Sequence, residues 1–160
     1  MRPPRAYNLS VRASIPSRPA GQSRSARQSR SAVDLAQLFA ALADRTRLRL
    51  LHLMQDREVC VCYFVAVLGQ SQPKISRHLA YLRRAGIVES RREGKWMHYR
   101  IAMPEPAAGI LRETLATLAQ DRTMQADLRR FTQACCSPLR GSLLEGAPQP
   151  TPLPARCDCA

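Results

Sequence analysis

The sequence predicts a mainly α fold with a small β-hairpin, a winged helix-turn-helix acting as a dimer. Two apolar-periodic stretches, 60–68 and 72–84, are joined by a short turn containing Gly69, which is the helix-turn-helix pattern. Two strand-like runs, 87–91 and 96–101, follow at once around a glycine turn and read as a wing. The formal net charge of +13 over 160 residues points to a polyanionic partner, nucleic acid before an anionic membrane.

Taken in order, residues 1–31 hold seven arginines and no acid, and so carry +7 of that charge. Their Arg, Ser and Pro content predicts a disordered basic arm that adds non-specific DNA affinity. A start site set too far upstream is an equal alternative, and an organellar transit peptide a third. Apolar residues dominate 33–43 and predict a first helix. Asp44 caps a second, Arg45–Gln55, in which Leu48, Leu50, Leu51 and Met54 recur at three- and four-residue spacing. A third helix is expected from Cys60 to Leu68, ending at Gly69. Ser71 then caps a fourth, with Pro73 in its first turn and Ile75, Leu79 and Leu82 as its buried stripe. Glu93-Gly94 is the expected hairpin turn. Pro104 to Thr132 reads as one long helix carrying Ile110, Leu111, Leu115, Leu118, Met124 and Leu128. That is more apolar surface than a small core needs, so one face is assigned to a dimer partner. Residues 137–160 are Pro-rich and expected to be flexible. The domain plan is a basic arm at 1–31, a DNA-binding and dimerisation domain at 32–134, and a Cys- and Pro-containing flexible tail at 135–160.

On the fourth helix the inward stripe leaves Gln72, Lys74, Ser76, Arg77, Tyr81 and Arg84 outside, with Ser71 at the entrance. Such side chains pair with base edges and phosphates, and the N-terminal half of such a helix enters the major groove. Gln72 and Arg77 are the candidates for base readout. Lys74, Ser76 and His78 suit backbone contacts, with partial packing an alternative for His78. Arg91, Arg92 and Lys95 cluster at the wing tip, where phosphate or minor-groove contact is natural.

Six cysteines fall in three pairs: Cys60/Cys62, Cys135/Cys136 and Cys157/Cys159. No secretory segment and no apolar run long enough for a bilayer is present, so a cytoplasmic, reducing location without membrane contact is expected. Cysteines there are more often metal-binding or reactive than bridged. Thiolates suit soft ions, and a helix start favours the thiolate. On a regular helix residues i and i+2 point about 200° apart, so Cys60 and Cys62 would share an ion only if that helix end unwinds. Distortion there is expected to misplace the helix from Ser71. His52, His78 and His98 are scattered, which argues against a His-based metal site.

Several runs together resemble the ArsR/SmtB family of winged-helix repressors. They are Ala41-Leu42-Ala43-Asp44-Arg45-Thr46-Arg47-Leu48, Ser71-Gln72, Ile75-Ser76, His78-Leu79, Leu82, Ala85-Gly86-Ile87-Val88, Arg92-Glu93-Gly94-Lys95 and Tyr99. The resemblance covers residues 33–134. It implies a homodimer joined by its first and last helices, which binds double-stranded operator DNA, represses a resistance operon and lets go when a metal or metalloid binds. Cys60-Val61-Cys62 resembles the box by which the arsenic-responsive branch binds As(III) and Sb(III), with no organic cofactor. Tyr63 stands where the familiar box has an acid, and Val65 where it has a third cysteine. Cys135 or Cys136, from the same or the other subunit, is the first choice for the third thiolate. Glutathione, two-coordinate binding and Cys157 or Cys159 are alternatives. A Cd(II) or Pb(II) sensor would draw further cysteines from the N-terminal arm, and none precedes Cys60. A thiol-redox or reactive-sulfur sensor fits the same fold, with Cys60 or Cys62 bridging to Cys135 or Cys136. An enzyme with a cysteine nucleophile would need a base and a pocket near Cys60, and the sequence offers neither.

Overall fold

A computed structural model describes residues 34–136 and 144–152; the basic arm lies outside these residues. Asp34 opens the first helix, α1 (Leu35–Leu42), by accepting the Ala36 N–H at 2.9 Å. Asp44 does the same for α2 (Arg45–Met54), accepting the Arg47 N–H at 2.8 Å. Each cap satisfies a donor that the helix itself leaves open. The chain then extends through a two-residue strand, β1 (Val59–Cys60), before α3 (Val61–Leu68). Gly69 ends α3 in the left-handed region at φ +62°, a conformation that L side chains resist. After this turn α4 (Gln72–Arg84) begins, with Ile75, Leu79 and Leu82 buried.

The wing is β2 (Val88–Glu93) and β3 (Trp96–Ile101), antiparallel, with β1 added on the far side of β3. Glu93 pairs with Trp96, so the hairpin turn is Gly94-Lys95, one residue later than expected. Gly94 supplies the positive φ of +56° that a tight hairpin turn needs. Val59 pairs with Tyr99 and Cys60 with His98.

The long helix expected from Pro104 to Thr132 is two helices, α5 (Ala107–Leu118) and α6 (Arg122–Cys136). Asp121 breaks it: its carboxylate accepts the N–H groups of Thr123 and Met124 at 2.7 and 3.1 Å and restarts the helix. The helix α6 packs across α3, where the rings of Tyr63 and Phe131 meet edge to face with centroids 5.8 Å apart. Arg130 Nε donates to the Val67 carbonyl at 3.0 Å across the same contact. Leu38, Leu50, Leu53, Phe64, Ile75, Leu79 and Ile87 fill the core beneath.

Part of the expected flexible tail departs from that reading. Leu144 and Ala147 are buried in the core, and Thr151 pairs with Glu58 through both backbone hydrogen bonds, 2.7 and 3.1 Å. The tail therefore lies along the outer edge of β1. Among the described residues no helix is long and apolar enough to cross a membrane.

Candidate thiol and nucleic-acid-binding site

Cys60 closes β1 and caps α3, with extended backbone at φ −69° and ψ 143°; Cys62 is inside the helix. The helix thus starts one residue later than expected, and the difference decides the thiol geometry. Were both residues helical, their side chains would diverge. With Cys60 extended, they converge, and the two Sγ atoms are 2.7 Å apart. No unwinding of the helix is needed to bring them together. Two metal–sulfur bonds of about 2.3 Å at a tetrahedral angle hold their sulfurs ~3.8 Å apart, so an ion would open this pair by roughly 1 Å.

Both sulfurs are nearly closed off from solvent, Cys60 fully and Cys62 to 8% exposure. The hydrogen bond from Cys62 draws the Cys60 thiol down to about 7, aided by the backbone N–H groups of Cys62, Met97 and Val61 and opposed by burial. The same hydrogen bond, with burial and the neighbouring charge, pushes Cys62 up. The two thiols therefore titrate as a pair, the first proton leaving more readily than from an ordinary cysteine and the second less readily.

Cys135 is buried on α6, one turn beyond Phe131 and facing the same core. Cys136 is disulfide-bonded. Among the described residues no three His, Cys, Asp or Glu side chains gather closely enough to hold an ion. The structure thus joins Cys60 to Cys62, and Cys135 shares their core without completing a three-donor cluster. Cys157 and Cys159 lie outside the described residues.

On α4, Gln72, Lys74 and Arg77 are exposed, as is Ser71 at its N-cap, while Ser76 is half-buried. Two expected contacts are engaged within the protein. His78 Nδ1 lies 3.4 Å from the Asp44 carboxylate, and the Arg47 guanidinium lies over the Tyr81 ring at 4.3 Å. Both are half-buried against the start of α2 and hold α4 against it. At the wing, Arg92 donates to the Gly94 carbonyl at 2.9 Å, and Lys95 sits 4.9 Å from the Trp96 ring centroid. Arg91 pairs with Glu93 at 2.8 Å and with Glu58 at 2.6 Å.

Glu58 is a further residue of this site, beyond those the sequence pattern marks. An acid two residues before Cys60, ahead of a basic wing, was the available signal. Its carboxyl is held below the usual range by the hydrogen bond from Arg91, against the effect of burial.

Residues 44–90 match the model of the bacterial regulatory protein, arsR family, a span that holds α2, the thiol pair and α4. The arsenical resistance operon repressor of Escherichia coli K12 is 45% identical over 104 residues, covering 63% of this chain and 87% of that protein. The arsenic resistance transcriptional regulator ArsR1 of Pseudomonas putida KT2440 is 52% identical over 65 residues, 40% of this chain and 51% of its own. Among solved structures, HlyU from Vibrio cholerae N16961 superposes with a TM-score of 0.50 at 31% identity, over 54% of this chain and 92% of that one. With its helix-turn-helix, basic wing and these relatives, the chain belongs to the arsR family of bacterial regulatory proteins, and is a winged-helix transcriptional regulator and not an enzyme.

Proposed function

We propose that the protein is a homodimeric repressor of an arsenic-resistance operon, and that As(III) or Sb(III) bound to Cys60 and Cys62 releases it from operator DNA. The observation that carries this reading is the convergence of two buried sulfurs, 2.7 Å apart, at the start of the helix that precedes the reading helix. A thiolate beside a thiol is suited to a soft ion. With arsenous acid, each sulfur replaces one hydroxyl on arsenic, and the displaced oxygens leave as one water and one hydroxide when Cys60 starts as the thiolate. The arsenical resistance repressor of E. coli, 45% identical, supports the choice of ligand.

Gln72 and Arg77 read bases, Ser71, Lys74 and Ser76 hold phosphates, and Arg91, Arg92 and Lys95 follow the backbone at the wing. His78 and Tyr81 steady α4 through Asp44 and Arg47. Dimerisation uses α1, where Leu35 and Phe39 are exposed, together with the C-terminal helices. A third thiolate comes from Cys135, or from Cys136 after its disulfide is reduced. The binding test is arsenite titration of the full chain, followed by the ultraviolet absorption of the sulfur–arsenic bonds. Wild type should show it, and Cys60→Ser and Cys62→Ser should each lose it; full absorption in the double variant places the site elsewhere.

A second reading is a thiol-redox sensor on the same fold; Cys136 is disulfide-bonded, while Cys60 and Cys62 are unbridged thiols. There a peroxide or persulfide accepts two electrons from two thiols, which release two protons and form a sulfur–sulfur bond. Release of DNA by peroxide but not by arsenite selects it.

A further inference from the structure

We propose that Glu58 is the positioning residue that carries occupancy of the Cys60–Cys62 pair to the DNA-binding wing, through its grip on Arg91. The inference rests on reading that pair as the ligand site.

Three strands bring the relevant residues into one row. Cys60 of β1 stands opposite His98 of β3, and His98 stands opposite Arg91 of β2. Directly opposed residues on neighbouring strands present their side chains on the same face of a sheet. Glu58, two residues before Cys60, shares that face and reaches across it. Its Oε1 accepts Arg91 Nε at 3.2 Å and Nη2 at 2.6 Å, and lies 3.5 Å from His98 Nδ1. Its backbone is clamped from the other side by Thr151, in both directions. Glu58 is thus fixed to a strand two residues long whose other end is the thiol pair.

That shortness gives the coupling. Seating an ion must spread the sulfurs by roughly 1 Å from their present contact. Cys62 is set in α3, while Cys60 ends a two-residue strand held to β3 by the Val59–Tyr99 and Cys60–His98 pairs, so Cys60 moves only together with that strand. A shift of Cys60 is a shift of β1, and Glu58 goes with it. Arg91, half-exposed at the wing, then loses the geometry that a forked guanidinium–carboxylate contact requires. The wing has a second cross-strand ion pair, Arg100 with Glu89, which leaves the Glu58–Arg91 contact whole when broken and so is the control for a general softening of the wing, although Arg100 also lies near Glu58.

The experiment uses the full chain and measures its affinity for a duplex carrying the DNA upstream of its own reading frame, with and without arsenite. Glu58→Gln, Glu89→Gln and wild type are compared, with arsenite uptake followed separately by ultraviolet absorption. Wild type should lose about tenfold or more in DNA affinity on arsenite binding. Glu58→Gln should take up arsenite as wild type does but bind DNA about tenfold more weakly without it, and lose no more than about twofold further on adding arsenite. Glu89→Gln should respond as wild type does. Should Glu58→Gln fold poorly, Arg91→Gln cuts the link from the other end: weaker on DNA, with affinities nearly equal with and without arsenite. A wild-type response in Glu58→Gln overturns the inference and leaves the ligand reading standing. A lost response in Glu89→Gln overturns it too, because any softening of the wing would then suffice. A wild type that takes up no arsenite, or takes it up without leaving DNA, overturns the ligand reading and this inference together.

Discussion

The Cys62 and Cys60 sulfurs meet across 2.7 Å at the buried start of α3, and the two groups titrate as a coupled pair. The unfolded chain has two independent thiols with an ordinary value of 9.0. Cys60 is depressed to about 7, so its contribution to stability is present above the unfolded value and lost as pH falls through about 7. Cys62 is raised, so above the unfolded value the unfolded chain gives up a proton that the folded one keeps, and stability falls again. The pair's contribution therefore rises between about 7 and 9.0 and declines beyond. Urea midpoints of the ion-free protein across this range, minus those of the Cys60→Ala/Cys62→Ala variant, should trace that peak.

Arg49 of α2 forks onto the fully buried carboxylate of Asp127 on α6, at 2.5 and 2.8 Å, and Arg130 joins from the same helix. Removing one member of such a buried pair leaves a charge without compensation. Asp127→Ala should cost about 3–5 kcal/mol, read as a lower urea midpoint. Because α6 braces α3 through Phe131 and Tyr63, the variant should also bind arsenite more weakly.

Gln72 and Lys74 are both exposed at the start of α4 but have different tasks. Gln72→Ala and Arg77→Ala should each lose about 1–3 kcal/mol for the preferred duplex and relax discrimination at one position. Lys74→Ala should weaken all duplexes alike and lower the slope of affinity against salt by about one. Anisotropy titrations at several salt concentrations on matched and mismatched duplexes separate the two effects.

Leu35 and Phe39 on α1 are 50% and 56% exposed, large apolar surface on a helix that otherwise turns Leu38 and Ala41 inward. Phe39→Asp should shift sedimentation from dimer to monomer and weaken DNA binding, while leaving the folded monomer intact.

Much of this site was legible wherever local chemistry decides it. Asp44 caps α2, Gly69 turns α3 into α4, and Ile75, Leu79 and Leu82 mark the inner face of α4. The thiol geometry was not legible, because Val-Cys-Val-Cys suits a strand or a helix equally. Its first half becomes strand only through pairing with Tyr99 and His98, some forty residues later. His78 and Tyr81 carry the right residue types for DNA, but Asp44 and Arg47 claim them through contacts that no periodicity reveals. Asp121 was hidden in an apolar pattern continuous enough to read as one helix, and Thr151 reaches Glu58 from a Pro-rich run whose composition reads as flexible.

The thiol pair is proposed to be the switch as well as a binding site. The most direct test is arsenite titration of the preformed complex between the full chain and its upstream DNA, followed by anisotropy. Wild type should come off the DNA as arsenite saturates, whereas Cys60→Ser and Cys62→Ser should bind DNA as wild type does and stay on it. Release of the Cys60→Ser/Cys62→Ser double variant by arsenite would contradict the account.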